Sequence, residues 1–114
     1  MNKTDEEVTF KVKDGHTEVE SPWGNDDIST PLKAIAHVKR QLEYYLKTKR
    51  SPDPAFTKRE IKGYEAILES GSETNASNFM KIKHGARIGT RPPFKGNLEI
   101  VEYMKTMGQW EYPQ

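Results

Sequence analysis

"EVTFKVKDGHTEVE", residues 7–20, decides the fold class. Val8, Phe10 and Val12 alternate with Thr9, Lys11 and Lys13 until Asp14-Gly15 interrupts the pattern, and Asp-Gly suits a two-residue type I′ turn whose twist matches its flanking strands. Folding back across that turn sets Phe10 opposite Val19 and Val12 opposite Thr17 on one side, with Lys11 opposite Glu18 on the other. Both faces agree on one register, so the segment is read as a β-hairpin. The next stretch, "SPWGNDDISTP" (residues 21–31), is dense in turn formers. It places Trp23 where the indole can fold back as a lid on the hairpin, the alternative being an exposed stacking aromatic.

Beyond the hairpin the apolar spacing becomes helical. Thr30 can cap, Pro31 suits the first helical position, and Leu32, Ile35, Val38, Leu42 and Tyr45 recur at three- and four-residue spacing, so a helix is expected to about Thr48, where "SPDP" ends it. "FTKREI" (56–61) reads as a capping box, with Thr57 as the cap, Glu60 answering it and Phe56 stapled to Ile61. That predicts a second helix over about 58–70, buried through Ile61, Tyr64, Ile67 and Leu68 and closed by Gly71. In "MKIK" (80–83) apolar and basic residues alternate, Gly85 breaks the run, and a short basic hairpin or an ordered loop is expected there. Asn97 then caps a last helix carrying Leu98, Ile100, Val101, Met104 and Met107, ended by Gly108.

The expected architecture is α+β: an N-terminal β-hairpin, an antiparallel helical pair, a basic loop or short hairpin, and a C-terminal helix. At 114 residues the chain suits one domain, expected over 7–108, with a disordered N-terminus at 1–6 and a tail at 109–114. The hydrophobic fraction of 33% against 31% charged residues implies a small core. There is no cysteine, which removes disulfides, thiolate catalysis and cysteine-based zinc sites. No apolar run approaches a membrane span and no leader-like apolar segment is seen near the N-terminus, so a cytoplasmic location is expected.

A net charge of +1 conceals an asymmetry. Residues 1–30 hold three Lys and eight acids, whereas residues 31–114 hold fifteen Lys or Arg and nine acids. The excess is densest in "KIKHGARIGTRPPFKG" (81–96), with five cations, one histidine and no acid. Its glycines allow backbone N–H groups to converge on an anion and its arginines offer forked phosphate contacts, although it lacks the ending of a P-loop and the spacing of a dinucleotide fold. The candidate binding residues are Lys81, Lys83, His84, Arg87, Arg91 and Lys95, facing nucleic acid or an acidic protein surface. Phe79 and Phe94 are candidates for base stacking unless they anchor the core, and Trp110 and Tyr112 of "QWEYPQ" either dock or form an interface. Cations of the helices, at Lys39, Arg40 and the stretch 58–62, would enlarge the patch to about eight to ten charges if they share its face.

Catalytic chemistry finds little support. His16, His37 and His84 are far apart and show no metal-ligand spacing, Asp26-Asp27 reads as a turn and helix-dipole feature, and no serine sits in a nucleophile elbow. No cofactor or metal is expected. The leading expectation is a small nucleic-acid-binding or nucleic-acid-associated regulator, followed by a protein-binding adaptor or inhibitor that docks on an acidic partner. Size and composition suit an accessory protein of a bacterium or bacteriophage. A ribonuclease-like enzyme using His84 with Lys83 or Arg87 ranks last, because no group is seen to orient the histidine.

Overall fold

Among the described residues, three short antiparallel strands lead into four helices. The computed structural model describes residues 9–13, 15–89 and 93–112; the expected tail at 1–6, Asp14 and the candidate Arg91 lie outside the described residues. Strands β1 (Thr9–Lys13), β2 (His16–Ser21) and β3 (Gly24–Asp27) form a sheet in the order β1-β2-β3. The first ladder pairs Phe10 with Val19, Lys11 with Glu18 and Val12 with Thr17, as the alternation requires. The α+β class, the hairpin and its register therefore hold.

β3 lies where turns were expected. Gly-Asn-Asp-Asp has poor strand propensity, so its pairing comes from the turn before it and the helix beside it. Ser21 Oγ donates to the Gly24 carbonyl at 2.7 Å across Pro22-Trp23, and Asp26 pairs with Val19. Trp23 is buried against α1 (Pro31–Lys47), with ring centroids 5.6 Å from His37, 5.8 Å from Tyr44 and 5.9 Å from Tyr45. Its indole N–H donates to His37 Nε2 at 3.1 Å, His37 Nδ1 meets Asp26 Oδ2 at 2.8 Å, and Arg40 bonds both Asp26 and the Trp23 carbonyl. Because an indole can only donate, His37 Nε2 must accept, which makes Nδ1 the protonated nitrogen. This network clamps the sheet to the helical body.

α1 begins as read, with Thr30 Oγ1 accepting from Lys33 N. The start of α2 (Pro54–Ser70) corrects the expected capping box. Asp53 is the N-cap, its carboxylate accepting from Phe56 N at 3.1 Å, and Pro54 takes the first helical position. Thr57 lies one turn inside, buried and 2.7 Å from the Ser51 hydroxyl, and Glu60 reaches another helix. The Asp-Pro pair is itself a start signal, stronger than the Thr-x-x-Glu spacing because Pro fixes the helical φ.

The expected basic loop or hairpin is a third helix. α3 (Glu73–Arg87) is capped by Ser72, whose hydroxyl accepts from Asn75 N at 3.0 Å. It buries Asn75, Ala76, Phe79, Ile82 and Gly85, a spacing of three that a helix face demands. The alternation of Met80 and Ile82 with lysines is too short to separate the two periods. Polar Asn75 at the head of the stripe disguised the helix; its side chain accepts from Glu111 N at 2.7 Å and donates to Glu111 O at 2.8 Å.

α4 (Asn97–Thr106) comes last, with Gly96 as its N-cap and Asn97 inside the first turn. The core joins Ile35 of α1, Tyr64 and Ile67 of α2, Ala76, Phe79 and Ile82 of α3, and Ile100, Val101 and Met104 of α4. After Gly108, at φ 71°, the chain turns back so that half-buried Trp110 packs on this core under Lys105, while Tyr112 remains exposed. No described helix is long and apolar enough to cross a membrane.

Candidate nucleic-acid interface

α3 sorts the basic residues into two groups. Lys81, His84 and Arg87 succeed one another at three-residue spacing, are exposed, and make no ion pair among the described residues. Lys95, on the segment entering α4, is likewise exposed and unpaired among the described residues. His84 and Arg87 belong to the last turn of α3, where the negative end of the helix dipole favours cations.

Lys83 is a correction. Its ammonium donates to Asn97 Oδ1 at 2.6 Å and to the Tyr64 hydroxyl at 3.1 Å, lies 3.6 Å from Glu60 Oε2, and rests over the Tyr64 and Phe79 rings. Glu60 completes the knot by accepting from Asn97 N at 2.7 Å. A carboxylate on α2 thus caps α4, and the lysine of α3 offsets its charge; these three helices meet at one ionic joint. Lys83 is committed to the fold and is not a free contact for a ligand.

Phe79 is also corrected. It is 1% exposed and packs edge-on against Tyr64, so it cannot stack on a base. Phe94 is half-buried with one edge against Tyr103 at 5.3 Å. Trp110 is engaged by the body, leaving Tyr112 as the free aromatic of the described tail.

Two depressions flank the end of α3, and Lys83 and Arg87 line both. One, of about 280 Å³, opens between the start of α2, the end of α3 and the start of α4, with Phe56, Pro93, Phe94 and Lys95 at its walls. Its volume approaches the lower end of small-ligand sites. Phe56, 44% exposed, is a residue that sequence reasoning assigned to a staple and that here stands at a cleft. The other, of about 310 Å³, runs between α1 and α3 over Ala34, Ile35, Val38 and Met80, with His84 and Arg87 at its cationic end.

The wider patch shrinks. Lys39 lies 3.0 Å from Glu43 and 3.9 Å from Glu65, Arg40 pairs with Asp26, and Arg59 with Glu99. Lys11 and Lys33 are likewise held by Glu20 and Asp27. Among the described residues no group of three His, Cys, Asp or Glu is placed to hold a metal ion. The Asp26–His37 pair has the look of an oriented base, yet the second imidazole nitrogen is taken by Trp23, which makes the pair structural. Comparison with protein families, with characterised proteins and with solved structures finds no match to this chain.

Proposed function

We propose that the chain is a small nucleic-acid-binding protein, holding a phosphate backbone on Lys81, His84 and Arg87 of α3 and on Lys95. One observation carries the reading: Lys81, Arg87 and Lys95 lack carboxylate partners among the described residues and border the clefts at the end of α3, Arg87 and Lys95 lining one and His84 and Arg87 the other, whereas Lys11, Lys33, Lys39, Arg40, Arg59 and Lys83 are paired and the remaining exposed lysines line neither cleft. Unpaired cations beside one another release counterions on meeting phosphate, which is the main source of affinity for nucleic acid. The cleft beside Arg87 and Lys95 favours a single strand, since Phe56 and Phe94 offer rings on which an unpaired base can stack.

Fluorescence anisotropy with labelled single-stranded DNA and RNA at low salt tests this. Lys81→Glu/Arg87→Glu should weaken binding by about tenfold or more, because each reversal replaces a phosphate contact by repulsion. No binding by the parent, or equal binding by the variant, overturns it. A second reading, an acidic protein partner, is supported by the apolar floor of the α1–α3 groove ending at His84 and Arg87. An apolar anchor would keep such a complex together at salt that dissolves a phosphate complex.

A further inference from the structure

Trp23, His37, Asp26 and Arg40 form a closed ring of hydrogen bonds between the sheet and α1, in which the imidazole is the one link that can change protonation near neutral pH. The His37 side chain is 12% exposed and that of Asp26 17%, so neither is freely solvated. Trp23 is 8% exposed, and its indole N–H donates to His37 Nε2 at 3.1 Å. An indole donates and never accepts. This bond therefore exists only while Nε2 carries no proton.

Asp26 of β3, 2.8 Å from Nδ1, is placed to hold an imidazolium by an ion pair. Arg40, three residues on along α1, already bonds Asp26, so a charged His37 makes Asp26 the partner of two cations. The other charges of the packed elements are engaged elsewhere. Lys33 of α1 is held by Asp27, and Lys39 by Glu43 and by Glu65 of α2. Glu18 and Glu20 of β2 fall, by strand alternation, on the face opposite that of Val19 and Asp26. His84 and Arg87 of α3 line the α1–α3 groove. We propose that His37 is a proton-operated latch: a proton on Nε2 sets two N–H groups head to head, ejects the Trp23 indole from its seat on α1 and loosens the sheet from the helical body. The inference does not rest on the nucleic-acid reading.

Trp23 is the member that yields. The imidazolium keeps Asp26 through Nδ1–H, and its charge strengthens that bond. The indole N–H instead loses its partner inside the body, where an unpaired donor is disfavoured. Trp23 also stands in the turn between β2 and β3, outside both strands, and Arg40 holds its carbonyl at 2.9 Å, so the side chain can swing while the backbone stays in place and the ladder stays paired. Its departure widens a cleft of about 400 Å³ that it walls together with Phe10, Ile28, Val38 and Gln41, and uncovers their apolar surface.

Nitrogen-15 NMR of the full chain between about pH 8.5 and 5, the range in which imidazoles titrate, follows the His37 ring and the Trp23 indole in the same samples. The Trp23 indole cross-peak should move with the midpoint of the His37 ring, and the protection of its proton against solvent exchange should fall by about tenfold, as one hydrogen bond is lost. Trp110, packed under Lys105, is the internal reference. His37→Gln can present a carbonyl to the indole and an N–H to Asp26 yet gains no proton in this range, so it should hold the Trp23 signal constant. An indole that stays put while the His37 ring protonates, a ring that remains neutral throughout, or an indole transition retained in His37→Gln would each overturn the proposal. The first two outcomes are read on the unmodified protein and stand whether or not the variant folds.

Discussion

Lys83 shows what a single residue's neighbours decide. In the sequence it is one cation in a basic run; in the fold it offsets Glu60, whose side chain is only 13% exposed. Removing one member of such a pair leaves the other charge poorly solvated. Lys83→Met should cost about 2–4 kcal/mol, less than a fully buried pair because the lysine side chain is 30% exposed. Urea denaturation measures this, and a cost comparable to Lys81→Met would refute the joint. Asp27 gives a second test at this scale. Hydrogen bonds from Ser29, side chain and backbone, and from Lys33 hold its carboxyl at about 2, below the ordinary 3.8. A lowered folded value means that its contribution to stability is present above pH 3.8 and is lost as the pH falls through about 2. Carboxyl NMR titration should place the midpoint near 2 and move it upward in Ser29→Ala; a midpoint at 3.8 in the parent would contradict the geometry.

At the scale of elements, legibility tracked the length and purity of the pattern. β1 and β2 were legible because both faces of the hairpin specify one register. α1 carried a cap, a proline and a long apolar stripe. α3 was missed because two of its five buried positions are Asn75 and Gly85, which no hydrophobic period registers. β3 was missed for a related reason, since its pairing is imposed from outside. The contact of α2 with α4 was equally hidden. Gly63 sits under Asn97, and a Cβ there would collide with the Asn97 side chain and press on its backbone. Ala is the better helix former by about 1 kcal/mol, so local propensity predicts that Gly63→Ala stabilises. The packing predicts the reverse, a loss of about 1–3 kcal/mol as α4 is pushed away. Thermal unfolding of this variant decides between the two.

For the whole molecule, the charge asymmetry along the chain does not become a broad positive face. Carboxylates of Asp26, Glu43 and Glu65 neutralise Lys39 and Arg40 of α1, and Glu99 neutralises Arg59. The cations at the end of α3 lack such partners among the described residues, as do exposed Lys47, Lys49, Lys58 and Lys62, and what sets the α3 group apart is the two clefts it borders. The candidate site was legible in the sequence as a run of residue types, but which of them face solvent was not, because that depends on α3 being a helix with an inward Lys83. The central claim is that three cations, Lys81, Arg87 and Lys95, meet phosphate. The most direct measurement is the affinity of the unmodified protein for a single-stranded oligonucleotide over a salt series. Three contacts predict a slope of log K against log salt of about −2, falling in magnitude by roughly 0.7 for each of Lys81→Ala and Arg87→Ala. A slope near zero, or one that neither substitution changes, would contradict it.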